Sequence, residues 1–242
     1  MREQMRKSLT ELVCILDRSG SMSGLESDTI GGFNHFLKAQ QQEAGEAVLT
    51  TILFDHETKV LHDRCPVQAV RPLTEREYVP RGSTALLDAV GGTLRHVWKN
   101  QQQMLRGYRP GKTIVMIITD GYENSSCRYN FRQVQDLIHR CKKAGWEFLF
   151  LGANMDAVEA ATHLGMEADD AANFVNDARG QKLAYECISN AVSFMRQGNR
   201  RQEDWKGIRS EEGREKEVRA LAVLALRCQM SAWKGVKAVV SA

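Results

Sequence analysis

Short apolar runs and helical spacings alternate along this chain from one end to the other. Leu12–Leu16, Ile114–Thr119 and Phe148–Leu151 are almost continuously apolar, the pattern of parallel strands covered on both faces. Val48–Phe54 predicts another strand, and Asn173–Val175 a short one. Val60–His62 follows Phe54 after only a few residues ("DHETK"), so it reads as the return arm of a hairpin at a sheet edge. Between the strands, apolar residues recur every three or four positions. Ile30, Phe33 and Leu37 mark a first helix, and Leu86, Val90, Leu94 and Val97 a second. Phe131, Val134, Ile138 and Cys141 mark a third, Val158, Ala161 and Leu164 a fourth, and Leu183, Cys187, Ala191 and Met195 a fifth. Strand–helix alternation with right-handed crossovers predicts an α/β fold. Its doubly wound, mostly parallel, Rossmann-like sheet has one antiparallel edge strand and helices on both faces. Ligands of such sheets bind at the carboxyl ends of the strands, so the residues that follow each strand matter most.

Composition divides the chain in two. Residues 1–195 hold 22 Lys/Arg against 24 Asp/Glu, and residues 196–242 hold 11 against 6. We therefore expect one domain over 8–195 and a basic tail over 196–242. The near-neutral body argues against nucleic acid as a partner. The tail segment "VRALAVLALRCQMSAW" reads as an apolar helix that is too short and too charged for a membrane span. Six cysteines lie scattered with no C-x-x-C, and the basic start of the chain has an apolar run too short for a signal peptide. These features predict a cytoplasmic, reduced protein. The six histidines form no close pair, which gives a zinc site no support.

The strand ends carry the chemistry. "LVCILDRSGSMSG" runs from an apolar strand into Asp17, followed by hydroxyls at Ser19, Ser21 and Ser23. A turn needs glycine and one Asn or Asp, not a carboxylate beside alternating hydroxyls. "RGSTALLDAV" places Thr84 just before the second helix, where alone it would read as an N-cap. "IVMIITDGYEN" ends another buried strand in Asp120 and Gly121. Asp17, Ser19, Ser21, Thr84 and Asp120 would converge if the first and fourth strands are neighbours. Asp55, Glu123, Asn124, Asn154 and Asp156 also stand near strand ends and read as turn and cap chemistry. The glutamine runs 40–42 and 101–103 read as solvated helix faces, and Met22, Leu25 and Tyr122 as an apolar rim around the site.

In "DRSGS", "GSTALLDA" and "ITDG", taken in that order, the chain resembles the von Willebrand factor A (vWA) domain with its metal-ion-dependent adhesion site. The likeness extends over roughly residues 8–195 and is closest to compact intracellular prokaryotic members. It implies that the Ser19 and Ser21 hydroxyls bind a metal directly, and that Thr84 binds directly or through water. Asp17 and Asp120 would act through waters or orient the ligands. Mg2+ or Mn2+ is the implied ion, because hard cations prefer oxygen donors. The implied role is non-catalytic recognition of a protein partner that supplies an Asp or Glu side chain. The competing class is a Mg2+-dependent phosphotransferase of haloacid dehalogenase type, which also opens with a strand ending in Asp. That chemistry needs a second acid two residues later, and Ser19 occupies the position. A dinucleotide fold needs G-x-G-x-x-G after the first strand, where this chain has "SGSMSG".

Overall fold

The computed structural model describes residues 9–175 and 177–198. The predicted tail from residue 199 onward, with its apolar segment, lies outside the described residues, as does the N-terminal octapeptide. Six strands form one sheet: β1 (Thr10–Asp17), β2 (Ala47–Phe54), β3 (Thr58–Pro66), β4 (Lys112–Thr119), β5 (Glu147–Ala153) and β6 (Ala171–Phe174). Their order is β3-β2-β1-β4-β5-β6, with all neighbours parallel except the β2–β3 hairpin. β3 is longer than the tripeptide Val60–His62 and sits antiparallel at the edge, as the short "DHETK" connection requires.

The helices are α1 (Glu26–Gln42), α2 (Leu86–Gln103), α3 (Phe131–Lys143), α4 (Ala157–His163) and α5 (Ala178–Arg196). Strand periodicity assigns each buried side chain to a face. Leu12, Cys14 and Leu16 of β1, with Ile114, Met116 and Ile118 of β4, meet Phe33, Phe36 and Leu37 of α1 and Tyr185, Ile188 and Val192 of α5. Val13, Ile15, Val115 and Ile117 point the other way, into α2, α3 and α4 through Val90, Leu94, Ile138 and Ala161. Both faces are covered, which is why these strands read as unbroken apolar runs. The chain leaves β1 toward β2 and β3, then crosses to β4 on the other side of β1. The direction of winding thus reverses between β1 and β4, where their carboxyl ends part to form a crevice.

The glutamine runs are not purely solvated. Gln40 is fully buried, and its amide donates to Ser193 Oγ at 3.1 Å while its Oε1 accepts from Arg196, tying α1 to α5. Gln101 donates to Glu11 Oε2 (2.8 Å) and Thr113 Oγ1 (2.9 Å). Glu11 is itself buried within β1 and paired with Arg64, so a polar partner is needed there. Met22 is also a correction: it is buried in the sheet's α1/α5 face and does not rim the site. Among the described residues, no helix is long and apolar enough to cross a membrane.

Close packing of α1 on α5 gives a stability prediction. A Cβ added at Gly32 would sit 2.1 Å from a ring carbon of Tyr185, whereas one added at Gly31 meets nothing within 4 Å. Helix propensity alone favours either Gly→Ala change by about 1 kcal/mol. Urea unfolding should find Gly31→Ala stabilising, and Gly32→Ala destabilising by about 1–3 kcal/mol because overpacking outweighs propensity. Equal effects at the two positions would contradict this packing.

Candidate metal centre

Five predicted residues meet at the crevice. Asp17 closes β1 and is almost wholly buried. Its Oδ1 accepts the Ser19 backbone N–H at 2.6 Å, and its Oδ2 accepts the Thr119 hydroxyl at 2.6 Å. Tyr78, also buried, donates its hydroxyl to the Asp17 carbonyl at 2.6 Å. The Ser19 and Ser21 hydroxyls lie 2.9 Å apart, and Ser21 donates to Asp120 Oδ1. Ser21 Oγ and Thr84 Oγ1 both face Gly121, where a Cβ would stand 3.8 and 3.9 Å from them. Asp17, Ser19, Thr84 and Asp120 are buried while Ser21 is exposed, so the cluster opens to solvent on the Ser21 side.

Burial dominates the electrostatics of Asp17. Burial pushes the Asp17 carboxyl up to about 6, the bonds from Thr119 and Ser19 oppose the rise, and the charge of Asp120 adds to it. Thr84 does not cap α2. Ala85 occupies the N-cap without a side-chain bond, and the first amides of the helix are taken by the loop after β4. Leu87 N–H donates to Glu123 Oε2 at 2.8 Å, and Asp88 N–H to Ser126 Oγ at 3.0 Å. The Thr84 hydroxyl is therefore left for the crevice.

The three loops are laced to one another. Gly20 N–H donates to Gly82 O at 3.0 Å and Arg81 N–H to Arg18 O at 2.9 Å, joining the serine loop to the Thr84 loop. Thr84 N–H donates to Asn124 Oδ1 at 2.8 Å, and Asn124 N–H returns to Thr84 O at 3.0 Å. Asp88 then clamps the far side of the Asp120 loop, accepting the amides of Cys127 (3.0 Å), Arg128 (2.8 Å) and Tyr129 (2.8 Å). Glu123, Asn124 and Asp156 do serve as turn and cap groups. Asp156 caps α4, and Tyr122, exposed at the rim, accepts the Asp156 N–H at 3.0 Å.

Thr119, Tyr78, Asp88 and Asp55 carried no signal in the sequence beyond position. Asp55 does more than turn chemistry. It is fully buried at the end of β2 and pairs with Arg18 Nε at 3.0 Å and Arg81 Nε at 2.9 Å. Asp55, His56 and Glu57 bring ligand atoms within 4.8 Å of one another, a grouping that resembles a cation site. The guanidinium of Arg81 already bridges Asp55 and Glu57, however, so these acids are neutralised within the protein. The donor set at Asp17, Ser19, Ser21, Thr84 and Asp120 is different: it offers oxygen only, and Asp17 is held by the Thr119 hydroxyl and the Ser19 amide rather than by a guanidinium. Such a set fits a hard divalent ion.

The family model described as VWA domain containing CoxE-like protein matches residues 1–165. The chain belongs to this CoxE-like VWA-domain family. None of the curated proteins matches it in sequence. Solved structures of similar fold include a von Willebrand factor type A protein from Catenulispora acidiphila, with TM-score 0.52 and 12% identity over 76% of this chain and 42% of that one. The vWF domain of the pilus tip protein Mfa5 from Porphyromonas gingivalis gives TM-score 0.53 and 11% identity over 80% of this chain and 97% of that one. Proximal thread matrix protein 1 from the mussel byssus, with a zinc-occupied MIDAS motif, gives 0.51 and 13% over 76% and 46%. The first structures matched are longer proteins, of which this chain spans less than two thirds. At these identities the likeness concerns the fold: the CoxE-like chain has the vWA architecture.

The Asp88 clamp yields a pH prediction. Burial raises the Asp88 carboxyl, but the three backbone N–H bonds from Cys127, Arg128 and Tyr129 outweigh it and hold the group below its ordinary value. A depressed folded value contributes stability above the unfolded value of about 4, and that contribution disappears as pH falls through the folded one. Asp88→Asn should cost about 1–3 kcal/mol at pH 7. The gap to wild type should narrow when denaturation is followed below pH ~4. A pH-independent gap would mean that the carboxylate charge is not what holds the loop.

Proposed function

We propose that this chain is a metal-dependent protein-binding module. Its vWA domain spans residues 8–195, and its Asp17, Ser19, Ser21, Thr84 and Asp120 hold one hard divalent cation, Mg2+ or Mn2+. The observation that carries the reading is the convergence of three hydroxyls and two buried carboxylates at the β1/β4 crevice, with the Thr84 hydroxyl spared from helix capping. Asp17 and Asp120 would balance the ion's charge, while Ser19, Ser21 and Thr84 supply neutral donors. When bound, the ion supplies an electrophilic site for an outside anionic oxygen. A carboxylate is the fitting partner group, because neutral donors repel it little and a partly dehydrated contact strengthens the attraction. Tyr122 and Leu25 remain as apolar rim groups that would help exclude water.

Recognition without catalysis is favoured over phosphoryl transfer by the residue two positions after Asp17. Ser19 holds no titratable proton suited to a leaving group, and its hydroxyl lies against Ser21. A cytoplasmic setting is part of this proposal. The mussel protein's zinc is a competing identity for the ion, and an oxygen-only donor set disfavours it against Mg2+ or Mn2+.

Titration calorimetry of the metal-free chain tests the reading. Mg2+ or Mn2+ should bind with one-to-one stoichiometry to wild type, with zinc binding no tighter at this centre, and Asp17→Ala or Ser19→Ala should abolish the heat. Undiminished stoichiometric binding in both variants would remove these residues from the site.

A further inference from the structure

Beside the crevice lies an open cleft of about 430 Å3 lined by Arg18, Lys59, Arg76, Glu77, Val79 and Arg81, among others. Its back wall is built from the backbone that carries the metal centre. Arg18 stands between Asp17 and Ser19, and Arg81 lies three residues before Thr84 and bonds through its N–H to Arg18 O. Cleft and centre are therefore joined through the same two stretches of backbone.

The charges in the cleft do not cancel. Arg18 and Arg81 are held against Asp55, and Arg81 also takes Glu57 at 2.7 Å. Glu77 is engaged with the Thr74 backbone N–H at 3.0 Å and with the Thr74 hydroxyl. Lys59 acts on Glu77 only through its field, and among the described residues neither Lys59 nor Arg76 forms an ion pair within 4.0 Å. Both are exposed. Val79, half exposed, adds an apolar floor. With Arg18 and Arg81 paired, the exposed cations Lys59 and Arg76 face the single acid Glu77, so a cleft next to a site that takes a carboxylate keeps a positive excess that complements an anion. Desolvating them against nothing would be costly, so an anionic occupant is favoured.

We propose that the partner segment is acidic beyond the residue at the metal: a second Asp or Glu, a few residues away, enters the cleft and pairs with Lys59 and Arg76. This rests on the metal-centred reading above. An extended peptide advances about 3.3 Å per residue, so acids two to four residues apart lie about 7–13 Å from one another, the range to be scanned. The cleft sets partner identity through that spacing, and the metal centre supplies the anchoring contact.

The test uses the whole chain and a set of fluorescent peptides of Gly and Ser. One carries a single Glu, and the others carry a second Glu placed two, three or four residues away on either side. Anisotropy in Mg2+ should find at least one two-acid peptide bound about fivefold tighter than the one-acid peptide, the upper end for an exposed ion pair. That advantage should shrink in high salt. In Lys59→Glu/Arg76→Glu it should vanish, while Mg2+ titration and the one-acid peptide's sensitivity to chelator stay as in wild type. No advantage in wild type, or the same advantage in the variant, would overturn the cleft's role. Chelator-insensitive binding of the one-acid peptide would instead overturn the metal-centred reading, and this proposal with it.

Discussion

Two carboxylates confined at the ends of adjacent parallel strands are the constraint on which the rest of this structure depends. Asp17 and Asp120 are both buried, and the charge of Asp120 adds to the burial that already pushes the Asp17 carboxyl up to about 6. A fold places acids in such a position only with compensating groups. Here Asp17 is met by the Thr119 hydroxyl and by the amide and hydroxyl of Ser19, and Asp120 accepts from the Ser21 hydroxyl. No cationic side chain faces Asp17 in its hydrogen bonds, in contrast to Asp55 one strand away with its two arginines. An arginine-locked acid is structurally complete.

The neighbouring architecture follows from keeping that pair in place. The reversal of winding between β1 and β4 opens the crevice, and the loops from three strands are laced across it by backbone and side-chain bonds. Glu123 and Ser126 cap α2, so the Thr84 loop and the Asp120 loop are tied to each other, with Asp88 fastening the far end. Rigid support of this kind keeps donors at usable separations when hard cations tolerate little distortion. The Arg18–Asp55–Arg81 lock does the same for the serine loop. It also fixes the cleft wall beside it.

Most of the fold was legible in the sequence because the sheet is buried on both faces. Unbroken apolar runs at β1, β4 and β5 are what parallel strands between two helix layers require, and the short β2–β3 connection leaves only a hairpin. The five candidate ligands were legible because each follows a strand or begins a helix at the carboxyl edge. What supports them was not. Thr119, Tyr78 and Asp88 act through distant partners, and sequence position alone does not bring Thr119 or Tyr78 onto Asp17. Gln40, Gln101 and Met22 were misread for a related reason: a glutamine on a helix or a methionine in a loop is buried or exposed according to tertiary neighbours. Those neighbours are Ser193 and Arg196 for Gln40, Glu11 and Thr113 for Gln101, and the α1/α5 core for Met22. Thr84 was weighed as an N-cap on local grounds, and the acid that displaces it from that role comes from a loop 36 residues away at Glu123–Leu87.

The most direct test of the account is where a metal sits. Crystals of the protein soaked in Mn2+ would locate the ion by its anomalous scattering. The account predicts one dominant peak among the Ser19, Ser21 and Thr84 hydroxyls, between Asp17 and Asp120. A dominant peak at Asp55, His56 and Glu57, or none at the β1/β4 crevice, would contradict it.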